Sequence, residues 1–209
     1  MPMYGLPAST LINQPLYKKA VYEKFNLKTV ERERFDADVS RMALVARISP
    51  ATVPALAEGQ EVKGFYVLQV TLKHKDFNPQ NILLLQKLIP QKIVFALEYD
   101  SSPRGGREGV FCVFHTRLQQ SEWRDTESSE IPLNGLTLDD VWQNIVAEIG
   151  GLDAQSEETI EEQIVNRERR EKLLRQIEML EKRARAEKQT RKRYELHQEI
   201  VKLRKELEG

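Results

Sequence analysis

Hydrophobic residues recur along this chain in two rhythms, one near 3.6 and one of two, and each change of rhythm marks a new element. Met1 to Gln14 reads as an irregular arm. Pro15 suits the first turn of a short helix reaching Phe25, with Leu16, Val21 and Phe25 as its apolar members. Thr29, followed by Glu31 and Glu33, then opens a second predicted helix in which Phe35, Val39, Met42 and Ala46 share one stripe. Pro50, Pro54 and Glu58-Gly59 punctuate the loop beyond it.

From Val62 to Leu72 the period falls to two. Tyr66, Leu68, Val70 and Leu72 alternate with Val67, Gln69, Thr71 and Lys73, the pattern of a half-buried strand. Asn78-Pro79 begins a short helix containing Ile82, Leu85, Leu88 and Ile89, and Pro90 ends it. Ile93 to Tyr99 and Val110 to Thr116 are apolar on both faces, so they are expected at the centre of a sheet covered on both sides. The loop joining them carries Pro103, Gly105, Gly106 and Gly109. The first two strands should pair in parallel across the helix, with the third added as an antiparallel hairpin partner.

Leu118 to Asn134 reads as a polar loop anchored by Trp123. Thr137-Leu-Asp-Asp is a capping pattern, and Leu138, Val141, Trp142, Ile145 and Ile149 make an amphipathic helix that Gly150-Gly151 terminates. The predicted fold class is α+β, a small mixed β-sheet with flanking helices over 1–150, then a linker over 151–156 and a charged helical tail over 157–209.

The tail has neither Pro nor Gly between Glu157 and Glu208. Leu173, Ile177, Leu180 and Ala184 form one helical stripe, and Leu196, Ile200, Leu203 and Leu207 form another. The twelve-residue step from Ala184 to Leu196 puts the two out of phase. The break falls in Arg185 to Arg193, where Thr190 suits the N-cap of a second helix. A helical hairpin is preferred, with arms from Glu157 to Ala186 and from Arg191 to Glu208. The alternative is one long helix with a polar waist, paired as a homodimeric coiled coil.

Composition narrows the classes further. Thirty-two basic residues balance thirty-two acidic ones, so attraction to nucleic acid or anionic lipid must come from a local patch. One such patch is the break, where Arg185, Lys188, Arg191, Lys192 and Arg193 face a single acid, Glu187. It is suited to phosphate but carries no interleaved aromatic, and flanking Glu178, Glu181, Glu195 and Glu199 are spaced for helix ion pairs that would make it an ordinary solvated face. A single cysteine, Cys112, precludes an intramolecular disulfide and suits a reducing cytoplasm. No segment reads as a signal peptide or a membrane span, so a soluble cytoplasmic protein without membrane contact is expected.

Catalytic signals are sparse, and no metal or cofactor is expected. The three histidines, His74, His115 and His197, stand in no ligand spacing, and Gly105-Gly106 lacks the following helix of a phosphate loop. The sharpest enzymatic arrangement gathers Glu98 and Asp100 with Lys73, His74 and His115 as a metal-dependent phosphodiesterase cluster. It lacks the acid and Glu-x-Lys unit of a nuclease. No catalytic residue is therefore assigned.

The stretch Glu187-Lys188-Gln189-Thr190-Arg191-Lys192-Arg193-Tyr194-Glu195-Leu196, continued by Lys202-Leu203-Arg204-Lys205-Glu206-Leu207-Glu208, resembles the C-terminus of a bacterial family known as "domain of unknown function 4391". Leu6-Pro7, Arg47-Ile48-Ser49-Pro50-Ala51-Thr52, Glu61-Val62, and Leu88-Ile89-Pro90 leading to Val94-Phe95-Ala96-Leu97-Glu98-Tyr99 resemble it as well. Thr190, His197 and the loop from Leu118 to Asn134 depart from its pattern. The resemblance implies genes beside helicases and DNA methyltransferases in restriction-like or phage-defence clusters, and it brings no established catalytic residue. The expectation is a non-catalytic accessory subunit whose tail binds a helicase or methyltransferase partner, with direct nucleic-acid binding through the basic break as the alternative and nuclease activity as a third.

Overall fold

The computed structural model describes residues 3–100 and 106–208, with the side chain of Glu208 excepted. The predicted loop residues Pro103 and Gly105 lie outside them, as do Met1 and Pro2 of the predicted arm. The chain divides into two compact units, Met1–Gln155 and Ser156–Gly209.

The first unit is built on one mixed sheet. Its strands are β1 (Leu11–Pro15), β2 (Val39–Ile48), β3 (Phe65–Leu72), β4 (Lys92–Asp100), β5 (Arg107–His115), β6 (Arg117–Gln120) and β7 (Arg124–Asp125). They lie in the order β1-β2-β3-β4-β5-β6, with β7 also pairing β5. Only β3 and β4 are parallel, from Phe65 opposite Lys92 to Leu72 opposite Tyr99. The other pairs are antiparallel.

A parallel pair needs a crossover, and α3 (Pro79–Leu88) supplies it. Asn78 caps that helix, its side chain accepting from the Gln80 N–H at 3.0 Å, and Pro79 occupies the first turn where its missing N–H costs nothing. Together with α1 (Lys18–Phe25) and α2 (Thr29–Asp38), this helix covers one face of the sheet. Val21, Phe35, Ile82 and Leu85 meet Leu68, Val70, Phe95 and Leu97 in a single buried cluster. The opposite face is covered by α4 (Leu138–Gly150), which opens on the Thr137–Asp140 capping box and closes on left-handed Gly151. Trp142 packs there on Phe65, with ring centres 5.6 Å apart.

Four sequence expectations change. The stripe Phe35, Val39, Met42 and Ala46 is not one helix, because α2 ends at Asp38 and Val39 begins β2. Two register shifts in the β2–β3 pair, between Val39 and Arg41 and between Leu44 and Ala46, insert extra residues into a period-two pattern. The first shift makes the step of three from Val39 to Met42, both on the face of Leu72 and Val70, and the second turns Ala46 to the opposite face beside Val67, so residues buried on two faces imitate one helical stripe. Pro15 closes β1 instead of opening α1, so Leu11 to Gln14 belongs to an edge strand. The strand expected from Val62 starts at Phe65 and is buried on both faces, Val67 and Thr71 included. Within the predicted loop from Leu118, β6 and β7 hydrogen-bond to β5. These are short, polar edge strands, held by backbone bonds that leave little periodic trace.

Two carboxylates fasten the connections. Asp38, buried where α2 gives way to β2, accepts from the Asn78 N–H at 2.7 Å and the Asn81 side-chain amide at 2.6 Å. It ties that junction to the start of the crossover helix. Asp139 gathers the backbone N–H groups of Gln60, Glu61 and Val62, its nearest oxygens at 2.6, 3.2 and 2.8 Å. Those three donors, the Val62 N–H foremost, hold its carboxyl below the usual aspartate range. Gly59 is required beside it, since a Cβ there would stand 2.3 Å from the carboxylate oxygen.

Asp38→Ala leaves buried amide donors unpaired and should cost about 1–3 kcal/mol in chemical denaturation. For Asp139, the folded-state depression means that its contribution is complete above the unfolded aspartate value near pH 4 and is lost as pH falls through the lower folded one. The melting temperature of Asp139→Asn should lie below that of the parent at pH 7, with the gap narrowing only below about pH 4. Thermal melts across that range check both the sign and the window.

Candidate nucleic-acid interface

The second unit consists of α5 (Ile160–Ala186) and α6 (Thr190–Glu208). Thr159 and Glu162 form a reciprocal capping box, with the Thr159 N–H donating to the Glu162 carboxylate at 2.8 Å, and that bond lowers the Glu162 pKa. From there α5 runs 27 residues, a length of about 40 Å. The turn is Glu187 to Gln189. Glu187 ends α5 by donating its N–H to the Arg183 carbonyl at 2.9 Å, and its side chain accepts from the Gln189 N–H at 2.8 Å. Thr190, expected as a cap, is already the first helical residue, and the Gln189 carbonyl accepts the Arg193 N–H.

The arms pack on each other. Ile177, Leu180, Ala184 and Ile200 form a buried cluster, with Leu196 and Leu203 packed against it. Leu173 is buried and Leu207 half-buried farther from the turn. Arg204 reaches Glu181 at 2.7 Å and Arg169 reaches Glu206 at 2.8 Å, both from one arm to the other. These exposed pairs are worth less than about 1 kcal/mol each, so they set register while the apolar seam supplies stability. The out-of-phase stripes are thus satisfied within one chain.

Self-packing leaves the basic residues outside. Arg185 approaches Glu181 at 3.8 Å with its side chain 82% exposed, and Arg191 approaches Glu195 at 3.3 Å with 92% exposed. Among the described residues Lys188, Lys192 and Arg193 have no ion-pair partner. From Lys182 to Arg193 the turn region holds seven basic residues and one acid, in a chain of zero net charge. Sequence reasoning passed over Tyr194, which directly follows Arg193 and is 64% exposed. Its position beside the basic run was the available signal.

The phosphodiesterase arrangement does not assemble. Glu98 faces Gly109 across the β4–β5 hairpin, whereas His115 lies two residues beyond Val113, which faces Val94. Six strand positions therefore separate Glu98 from His115, about 20 Å. The Glu98 carboxylate is engaged, accepting from the Tyr4 hydroxyl at 2.5 Å and from Arg107 at 3.3 Å. Burial, then the Glu98 charge, hold the Tyr4 phenol protonated well above its usual range. Asp100 accepts from the Arg107 Nε at 2.9 Å, and His74 turns to Asp38 at 3.4 Å. The result is a structural clasp for the N-terminal arm.

No group of three His, Cys, Asp or Glu residues among the described ones is placed to hold a metal ion. No described helix is long and apolar enough to cross a membrane. Fold and site define a mixed α+β unit followed by a helical hairpin with a basic turn. The chain belongs to the family "Domain of unknown function (DUF4391)", whose model matches residues 4–207. No curated protein and no solved structure matches it.

Cysteines introduced at Leu180 and Leu196 should crosslink within one chain under mild oxidation. Cys112 will not interfere, since burial pushes its thiol up to about 12. Non-reducing gels showing crosslinks only between chains would mean that the seam is intermolecular.

Proposed function

We propose that this chain is a non-catalytic accessory subunit that works with a helicase or DNA methyltransferase in a restriction-like or phage-defence system, and that the turn of its hairpin contacts nucleic-acid phosphates. The observation that carries the reading is the concentration of exposed cations at that turn in a protein of zero net charge. Helix ion pairs ordinarily neutralise such runs, yet among the described residues Lys188, Lys192 and Arg193 have none. Tyr194 adds an exposed ring on which a base can stack.

The same geometry revises how a protein partner would engage. Because the seam is filled by the chain's own arms, a helicase or methyltransferase must meet the outer faces, where Val165, Leu174, Met179, Tyr194 and Val201 are exposed. Packing by insertion into the seam would require the arms to separate, at the cost of the buried Ile177, Leu180, Ala184 and Ile200.

Four phosphate contacts from Lys188, Arg191, Lys192 and Arg193 predict a log-log salt slope near −3.6 on duplex DNA, so affinity should fall about a hundredfold between 50 and 200 mM salt. Replacing all four with Gln should remove that slope and most of the binding. Fluorescence anisotropy with a labelled duplex measures both, and an affinity indifferent to salt and to the substitutions would sink the reading. Solution mass with and without the neighbouring gene products tests the partner.

A further inference from the structure

A cavity of about 250 Å³ lies on the α4 side of the sheet, between β5, the second half of α4 and the segment from Ser121 to Pro132. Strand register decides what faces it. Val110 and Cys112 point into the cluster beneath α1, α2 and α3, so Gly109 and Phe111, the alternate residues of β5, point to the opposite face. Arg124 of β7 stands directly opposite Gly109 and therefore shares that face. On α4, Glu148 and Ile149 lie three and four residues beyond Ile145, which sets all three on one side of the helix.

Hydrogen bonds fix the walls. The Ser121 hydroxyl accepts from the Phe111 N–H at 3.0 Å, and the Ser121 N–H donates to the Phe111 carbonyl at 2.9 Å. Ser128 and Ser129 both donate to the Asp125 carbonyl, at 3.0 and 2.9 Å. The Ile131 N–H donates to the Tyr4 carbonyl at 3.0 Å, tying the last wall to the N-terminal arm. Gly109 is required in the floor, since a Cβ there would stand 2.9 Å from the Thr126 methyl.

The lining divides by chemistry. Ile131, Ile145 and Ile149 are buried and, with Phe111, make an apolar floor. The remaining lining includes one cation, Arg124, and three carboxylates, Glu122, Glu130 and Glu148, all exposed. Elsewhere in this unit neighbouring opposite charges close on each other, as Lys75 does on Glu108 at 2.6 Å and Arg107 on Asp100 at 2.9 Å. Around this cavity they do not: among the described residues, Arg124 and the three carboxylates have no ion-pair partner. Opposite charges are thus held apart over an apolar floor, and three carboxylates against one guanidinium leave two negative charges in excess.

We propose that this cavity binds a free basic amino acid, lysine or arginine. The ligand carboxylate pairs with Arg124, whose planar fork matches it. The α-ammonium and the side-chain cation take carboxylates from among Glu122, Glu130 and Glu148, and the aliphatic stem lies on the isoleucine floor. A nucleotide carries the wrong charge and is too large, since pockets for drug-sized ligands begin at about 300 Å³. A diamine would leave Arg124 unanswered, and an apolar amino acid would leave the excess carboxylates so. The site uses none of the residues on which the nucleic-acid reading rests.

NMR spectra of the full chain report occupancy through the methyl groups of Ile131, Ile145 and Ile149 and the amide of Gly109. These resonances should move with lysine or arginine, either sufficing. Cadaverine and agmatine, the same molecules without the carboxylate, should need concentrations about tenfold higher or more than their parents, and norleucine, which lacks the second cation, likewise. Arg124→Gln should weaken the amino acid about tenfold or more and leave its amine unchanged, a split that a merely structural change would not produce. Glu122→Gln combined with Glu148→Gln should weaken both. These three positions are exposed, so the spectra should stay dispersed.

In the chain with Lys188, Arg191, Lys192 and Arg193 changed to Gln, amino-acid binding should persist, which separates this site from the hairpin turn. Cavity resonances that stay fixed with both lysine and arginine overturn the proposal. So do an amine or norleucine bound as tightly as the basic amino acid, and affinity for that amino acid undiminished by Arg124→Gln.

Discussion

The parallel pairing of β3 with β4 is the constraint from which the rest of the sheet unit follows. Two parallel strands cannot be joined by a tight turn, so the chain must leave the sheet after Leu72, cross one face as α3 and return at Lys92. A central parallel pair must also be dry on both faces. One cover is supplied by α1, α2 and α3 over Leu68, Val70, Phe95 and Leu97, and the other by α4 with Trp142 on Phe65. Asp38 matters because it fixes the entry to that crossover from the neighbouring strand. Antiparallel strands on either side then need only hairpins and short edge pairings.

The hairpin obeys a different economy. Its arms are rich in charge and carry one narrow apolar stripe each, too little to fold a lone helix yet enough to bury against a partner of matching spacing. Having that partner in the same chain removes the concentration dependence that a dimeric coiled coil would show. The remaining surface is free to specialise, and the turn has done so electrostatically. Glu187, its only acid, folds back to the Gln189 N–H, so the outward surface of the turn is almost wholly cationic.

Much of this was legible in the sequence, and what was not has identifiable causes. The helix starts at Asn78 and Thr137 announce themselves because side-chain oxygen and backbone donor are close in sequence, whereas the Thr159 box at the head of the tail was missed. The crossover helix and the doubly buried strands β4 and β5 follow from composition and length. Periodicity failed in β2, where one bulge made the step of three from Val39 to Met42 and a second moved Ala46 to the other face, so that buried positions from both faces read as one stripe. Edge strands β1, β6 and β7 escaped because their stabilisation lies in backbone bonds, to which side-chain pattern is blind. The basic turn could be read from a continuous run of residues.

A net charge of zero shapes how such surfaces would work. A strongly basic protein is drawn to any polyanion from a distance, whereas here the long-range field largely cancels and attraction is confined to within about a Debye length, about 8 Å at physiological salt. Under the reading proposed above, the turn supplies phosphate contact without base information. A neutral accessory protein that binds in this way would stay off bulk nucleic acid at cellular salt, and the turn would act where a helicase or methyltransferase partner, held through other contacts, brings it within reach of a strand.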